Sequence, residues 1–171
     1  MERLYRLMGT HKMWNRSTTK KGFTLIEIVI VVSIIAIIVV IGIPGLLRTR
    51  VNANHAMIEG DLRTFSSSIE MYRSQQNPPA YSPNIAALTG ANPPFLDTTW
   101  DTANAVPGKH SYTFAYAVVA NGATYSMLAA PIGVNGVNTY CIDQTGVLVG
   151  GNGGTAPTGD DTGCVGGVAI S

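Results

Sequence analysis

Three successive hydrophobic patterns run along this chain. From Phe23 to Ile43 the residues form an almost unbroken apolar run of 21 positions, FTLIEIVIVVSIIAIIVVIGI. At about 1.5 Å per residue, a helix of that length crosses a bilayer. Past Pro44 the apolar residues step by three or four, through Leu47, Val51, Asn54, Ile58, Leu62, Phe65, Ile69 and Tyr72. That spacing predicts an amphipathic helix with one face on a domain. Arg50, Glu59, Asp61 and Glu70 fall on its other side, expected to meet solvent or a neighbouring molecule. Gly42 and Pro44 weaken the middle of the helix without ending it. Glycine costs about 1 kcal/mol against alanine, and proline lacks the donor for the carbonyl four residues back. The helix is expected to stop near Ser74, before the prolines of QQNPPAYSP. From Phe23 to Ser74 it would hold 52 residues. Its length of about 78 Å far exceeds a membrane span, so the second half should leave the bilayer.

The third pattern has period two. Residues 75–110 read as a loop with one short helical turn near Ile85–Leu88, and alternation follows in Tyr112, Phe114, Tyr116 and Val118. Asn121–Gly122 is the dipeptide preferred in type I′ turns, which predicts a hairpin with a second strand through Leu128. Thr139–Ile142 and Gly146–Val149 suggest another hairpin turning at Asp143–Thr145, and Val168–Ile170 a final strand after a glycine-rich stretch. An antiparallel sheet of three or four strands laid on the helix stripe buries both apolar faces, giving an α+β fold. The expected divisions are a basic leader (1–22), a hydrophobic membrane and assembly helix (23–50) and a globular head (51–171).

Charge is distributed unevenly. Residues 1–22 carry six Lys or Arg against one Glu, whereas the rest carries five against nine Asp or Glu. A basic end ahead of an apolar helix follows the positive-inside rule, with the leader cytoplasmic and the remainder translocated. No basic, aromatic-interleaved patch lies beyond the apolar run, so no nucleic-acid partner is expected. A secretory signal peptide fits poorly, because its apolar region should be shorter and end in a small-residue cleavage site.

Catalytic signatures do not emerge. His55 and His110 are far apart in sequence, and there is no GxSxG, HExxH or P-loop. Asp160 and Asp161 could offer oxygens to calcium, but two adjacent carboxylates make a poor cage, and a solvated turn is the simpler reading. No metal, cofactor or catalytic residue is therefore expected. Cys141 and Cys164 lie in the translocated part, where a disulfide can persist. If bonded they close a 24-residue loop, worth about 3.5 kcal/mol in the loop-entropy model. Two free thiols are the alternative.

Glu27 interrupts the apolar run near its start, where an unpaired carboxylate should cost several kcal/mol. Its setting is KKGFTLIE, Lys20 to Glu27, with Pro44 22 residues into the chain counted from Phe23. This segment resembles the class III signal of type IV prepilins and the related pseudopilins of type II secretion. The resemblance covers roughly residues 17–75. It implies cleavage between Gly22 and Phe23 by a prepilin peptidase, which also methylates the new amine of Phe23. Met13 would shorten the leader to ten residues. In many pilins a disulfide also bounds a C-terminal loop.

Under this resemblance Glu27 has two candidate partners, the new ammonium of its own Phe23 and that of an adjacent subunit. The alternative is a carboxylate reaching the headgroups unpaired. Gly42 and Pro44 would loosen the helix for repacking inside a filament, although both residues are common in membrane helices anyway. The implied function is a structural pilin forming an extracellular type IV pilus from an inner-membrane precursor. Its expected partners are copies of itself, the peptidase and methyltransferase, an inner-membrane assembly platform and minor pilins. A pseudopilin of a periplasmic type II secretion pseudopilus is the related alternative, disfavoured by the C-terminal cysteine pair. A membrane-anchored binding module would need neither the cleavage signal nor Glu27.

Overall fold

The computed structural model describes residues 22–133 and 136–170, so the leader expected at 1–22 lies outside them except for Gly22. Helix α1 runs Leu25–Gln75 with Pro44 inside it. Its chain divides into two compact units, one ending at Ile41 and the other beginning at Gly42. In the first unit all described residues are exposed, and that exposure continues to Arg50.

In the second unit the amphipathic half of α1 buries Ile58, Leu62, Phe65, Ser68 and Ile69. Leu47, expected on the same stripe, is instead exposed, and Val51 and Asn54 are half-buried, so the packed face begins four residues before Leu62. The predicted loop contains α2 (Ala86–Thr89) and an unpredicted 3-10 turn over Thr98–Thr102. Asp97 caps that turn by accepting the Thr99 N–H at 2.8 Å. The turn brings Trp100 into the core, 1% exposed.

Seven strands follow among the described residues. They are β1 (Tyr112–Val118), β2 (Tyr125–Pro131), β3 (Thr139–Asp143), β4 (Leu148–Gly151), β5 (Thr158–Asp160), β6 (Gly163–Val165) and β7 (Val168–Ala169). The main sheet is antiparallel in the order β1-β2-β3-β4-β7, five strands where three or four were expected. β5 and β6 form a separate ribbon inside the glycine-rich stretch read as a loop. The core joins the helix face to Tyr112, Phe114, Tyr125, Met127, Tyr140, Ile142 and Leu148 of the sheet. Phe65 sits at its centre, with ring centroids 5.4 Å from Trp100, 5.6 Å from Tyr116 and 6.1 Å from Tyr125. The aromatic alternation of β1 is thus core packing.

The first hairpin departs from the expected type I′ turn. Such a turn needs positive φ at both central residues, and here Gly122 has φ 67° while Asn121 does not. A longer loop closes instead through Val119 N–H to Thr124 O at 3.1 Å and Gly122 N–H to Val119 O at 2.8 Å. The loop meets the segment before α2, where the Gly122 carbonyl accepts the Tyr81 N–H at 2.9 Å. A Cβ on Gly122 would come within 2.8 Å of Ala80 Cβ, so this docking demands glycine.

The acidic side of α1 also differs from expectation. Asp61 accepts from Lys109 Nζ at 2.9 Å, and Glu70 Oε1 accepts from the Tyr81 hydroxyl at 2.5 Å. Both carboxylates therefore fasten the helix to its own head rather than waiting for solvent or a neighbour.

Candidate processing and assembly segment

Gly22, Phe23 and Thr24 precede the first turn of α1, so the Gly22–Phe23 peptide lies outside regular structure. Phe23 is 85% exposed and Gly22 has no neighbour within 4 Å of a built Cβ. The bond thus lies ahead of the first helical turn and has no side chain on its leader side. The nitrogen of Phe23 is still an amide in this uncleaved chain; only hydrolysis would make it an ammonium.

Glu27 has a partner that sequence reasoning overlooked. Thr24 donates both its N–H (2.9 Å) and its hydroxyl (2.8 Å) to Glu27 Oε2. In return the Glu27 N–H donates to Thr24 Oγ1 at 3.3 Å. Thr24 is the last residue before the helix and Glu27 its third, which makes this a capping box. The signal was present as T-x-x-E ahead of an apolar run. The box satisfies two of the four helix N–H groups that have no intrahelical acceptor. Among the described residues no donor reaches Glu27 Oε1.

Every large apolar residue from Phe23 to Leu47 is exposed, with Val39 the least so at 42%. The span reaches a mean hydropathy of 3.3 over its most apolar window and is long enough to cross a membrane. Within it, the Ser33 hydroxyl donates back to Val29 O at 2.7 Å, so its polar group is spent inside the helix. Gly42 and Pro44 stay in the helix, both exposed. A side chain on Gly42 would meet nothing within 4 Å, so the chain's own packing does not require glycine there. Pro44 has no N–H to offer the Val40 carbonyl.

At the other end of the chain, Cys141 and Cys164 are joined in a disulfide. Beside it, the buried Asp143 accepts the Cys164 N–H through Oδ2 at 2.9 Å and the Thr145 N–H through Oδ1, also at 2.9 Å. Burial pushes its carboxyl up, but the Thr145 hydroxyl and these two amides outweigh that and hold it below the usual carboxylate range. Asp160 accepts from the Thr162 N–H, the Thr162 hydroxyl and the Gly163 N–H, so it organises the ribbon's turn. Among the described residues no group of three or more His, Cys, Asp or Glu could hold a metal ion. His55 and His110 are not brought to one site: His55 Nε2 accepts from Val137 N–H at 3.3 Å, and His110 Nε2 stands 3.5 Å from Asp61 Oδ2.

Residues 18–43 match the family described as Prokaryotic N-terminal methylation motif. The chain is also similar to the type IV wide pilus major component PilA4 of Thermus thermophilus, 44% identical over 68 residues. That alignment takes in 40% of this chain and spans half the length of PilA4. The matched motif contains the Gly22–Phe23 bond, the Thr24–Glu27 box and the exposed apolar run, and an α+β head of pilin type follows it. The apolar helix is consistent with a membrane-anchored precursor. Residues 18–43 thus carry the N-terminal methylation motif characteristic of type IV prepilins and pseudopilins, on a chain similar to a pilus component over 40% of its length.

Proposed function

We propose that this protein is a subunit of an extracellular type IV pilus. A prepilin peptidase removes residues 1–22 at the cytoplasmic side of the inner membrane and methylates Phe23. An inner-membrane platform then extracts the subunit, and minor pilins join it in the filament. The observation that carries this reading is that every residue from 22 to 50 is exposed, while the buried core begins only at Ile58. An apolar helix left exposed over that length needs lipid around it or other copies of itself. In a water-poor bundle of such helices, a second chain's Phe23 ammonium can reach the open Oε1 of Glu27. An unpaired charge there would be heavily penalised, which selects one register. The name of the relative, a pilus major component, supports the same reading.

The test is the location and N-terminus of the assembled protein. Sheared surface filaments should contain this chain beginning at methylated Phe23, by intact mass and N-terminal sequencing. Protein confined to the periplasm would favour the secretion pseudopilus, and filament subunits retaining residues 1–22 would overturn the processing.

A further inference from the structure

The β5–β6 ribbon lies on the sheet through its backbone. Thr124 Oγ1 donates to Asp161 O at 2.6 Å, Ser126 Oγ to Asp160 O at 2.7 Å and Gln144 Nε2 to Thr162 O at 3.2 Å. The fourth contact runs the other way, from Cys164 N–H to Asp143 Oδ2 at 2.9 Å. Three of these bonds join neutral groups. The fourth ends on a carboxylate that is 7% exposed, and charge-assisted bonds are roughly twice as strong as neutral ones. Its donor is the amide of the cysteine itself, so the bond places Cys164 and not merely the ribbon. The carboxylate does not have to be ordered when the ribbon arrives, because Oδ1 is already held by the Thr145 N–H and hydroxyl. Gly159 completes the fit: a Cβ there would lie 2.8 Å from Ser126 Oγ and 3.2 Å from Cys141 Sγ.

We propose that Asp143 docks the ribbon before oxidation, so that the disulfide closes on a Cys164 already positioned over Cys141. Without docking, oxidation has to fix both ends of a flexible 24-residue loop. With it, two thiols stand side by side and their effective concentration rises. The reaction takes a small-molecule disulfide as oxidant. The Cys141–Cys164 bond forms as the oxidant's S–S bond breaks; two electrons and the two thiol protons pass to it, giving two small thiols. Asp143 takes no part in the electron transfer and acts as a positioning residue.

The test uses the full-length chain in detergent with the disulfide reduced, and follows the rate at which Cys141 is alkylated by a maleimide, scored by gel shift. In reduced wild-type protein the fully buried Cys141 should react at least about tenfold more slowly than in urea, because the docked ribbon covers it. Asp143→Asn can keep one oxygen for Thr145 but presents no acceptor to Cys164. It should lose most of that protection, up to about tenfold, the size expected for one charged hydrogen bond. Thr145→Ala, which leaves the Cys164 contact intact, should keep it within about twofold. The wild-type measurement stands even if the Asp143 variant fails to fold. A reduced Asp143→Asn protein as well protected as wild type overturns the proposal. So does a Thr145→Ala loss as large, or a reduced wild-type Cys141 as reactive as in urea.

Discussion

Thr24 and Glu27 hold each other at the start of α1: the threonine hydroxyl donates to the carboxylate at 2.8 Å and accepts the glutamate N–H at 3.3 Å. The carboxylate therefore has a partner before any second chain arrives, and two roles converge on one side chain. Capping needs only an acceptor oxygen, whereas recognition of an ammonium needs charge. Glu27→Gln separates them, since glutamine serves in a capping box as well as glutamate does. The variant should insert in the membrane and fold its head, yet give filaments at less than about a tenth of the wild-type level, as expected if roughly 1.4 kcal/mol or more of charge pairing is lost. Glu27→Ala should lose filaments as well. Immunoblots of sheared and membrane fractions would decide it; wild-type filament levels in Glu27→Gln would leave capping as the sole role.

A second prediction concerns the tie between α1 and the turn before β1. Lys109 Nζ lies 2.9 Å from Asp61 Oδ1 and 4.4 Å from the centre of the Trp100 ring, and both charged side chains are only 17% exposed. Lys109→Met keeps the stem but leaves Asp61 without its main countercharge in a poorly hydrated place. The loss should be about 2–4 kcal/mol, combining a broken half-buried pair with a lost cation–π contact. Tryptophan fluorescence during urea unfolding of the full chain in detergent reports it directly. Adding Asp61→Asn to the variant should recover part of the loss, because the orphaned charge disappears. A single-variant effect below about 0.5 kcal/mol would reduce the pair to a surface contact.

What could be read from the chain depended on how each element is held. Ile58, Leu62, Phe65 and Ile69 repeat at helical spacing because one helix face is buried, and Tyr112 and Phe114 alternate because one sheet face is. The ribbon left no such trace. Its strands have three residues each and are held by side chains of Thr124, Ser126, Asp143 and Gln144 reaching its backbone, so its own residues need no pattern. The Asn121–Gly122 turn misled for a similar reason: docking against Ala80 and Tyr81, distant in the pattern, set the loop geometry. Thr24 is a different case, legible as T-x-x-E but masked by the more conspicuous glutamate beside it.

The head should be most sensitive at Phe65. It is fully buried on the sheet side of α1 and contacts three other aromatic rings. Phe65→Ala removes most of a side chain where rigid rings on three sides cannot collapse inward. The expected cost is about 3–5 kcal/mol, against less than about 2 kcal/mol for Phe65→Leu, which keeps more of the volume. Urea midpoints of the two variants would separate the cases. Equal losses would mean the site relaxes around the smaller residue.

Acid should unfasten the C-terminal region, with Asp143 setting most of the effect. Its carboxyl is buried, which raises its pKa, but the Thr145 hydroxyl and the Cys164 and Thr145 amides lower it further, so the net shift is downward. Asp160 and Asp97 are also lowered, chiefly by the hydroxyls of Thr162 and Thr99, but both are exposed and their bonds are screened by water. A carboxyl depressed in the folded state binds protons more weakly than in the unfolded chain, where an aspartate titrates near about 3.9. The stabilisation is therefore fully present above about pH 5 and disappears as the pH falls through the folded pKa, below about 4. Tyr125, whose burial lifts its hydroxyl to about 12, stays neutral throughout and adds nothing in this window. Urea midpoints of the full chain in nonionic detergent should be flat from pH 7 to 5 and then drop toward pH 3. Asp143→Asn should start lower at pH 7, having lost the charged acceptor for Cys164, and fall less steeply, because the group that titrates is gone. If the variant lost stability as steeply as the wild type below pH 4, the acid sensitivity would belong to other carboxylates and Asp143 would be a neutral packing residue.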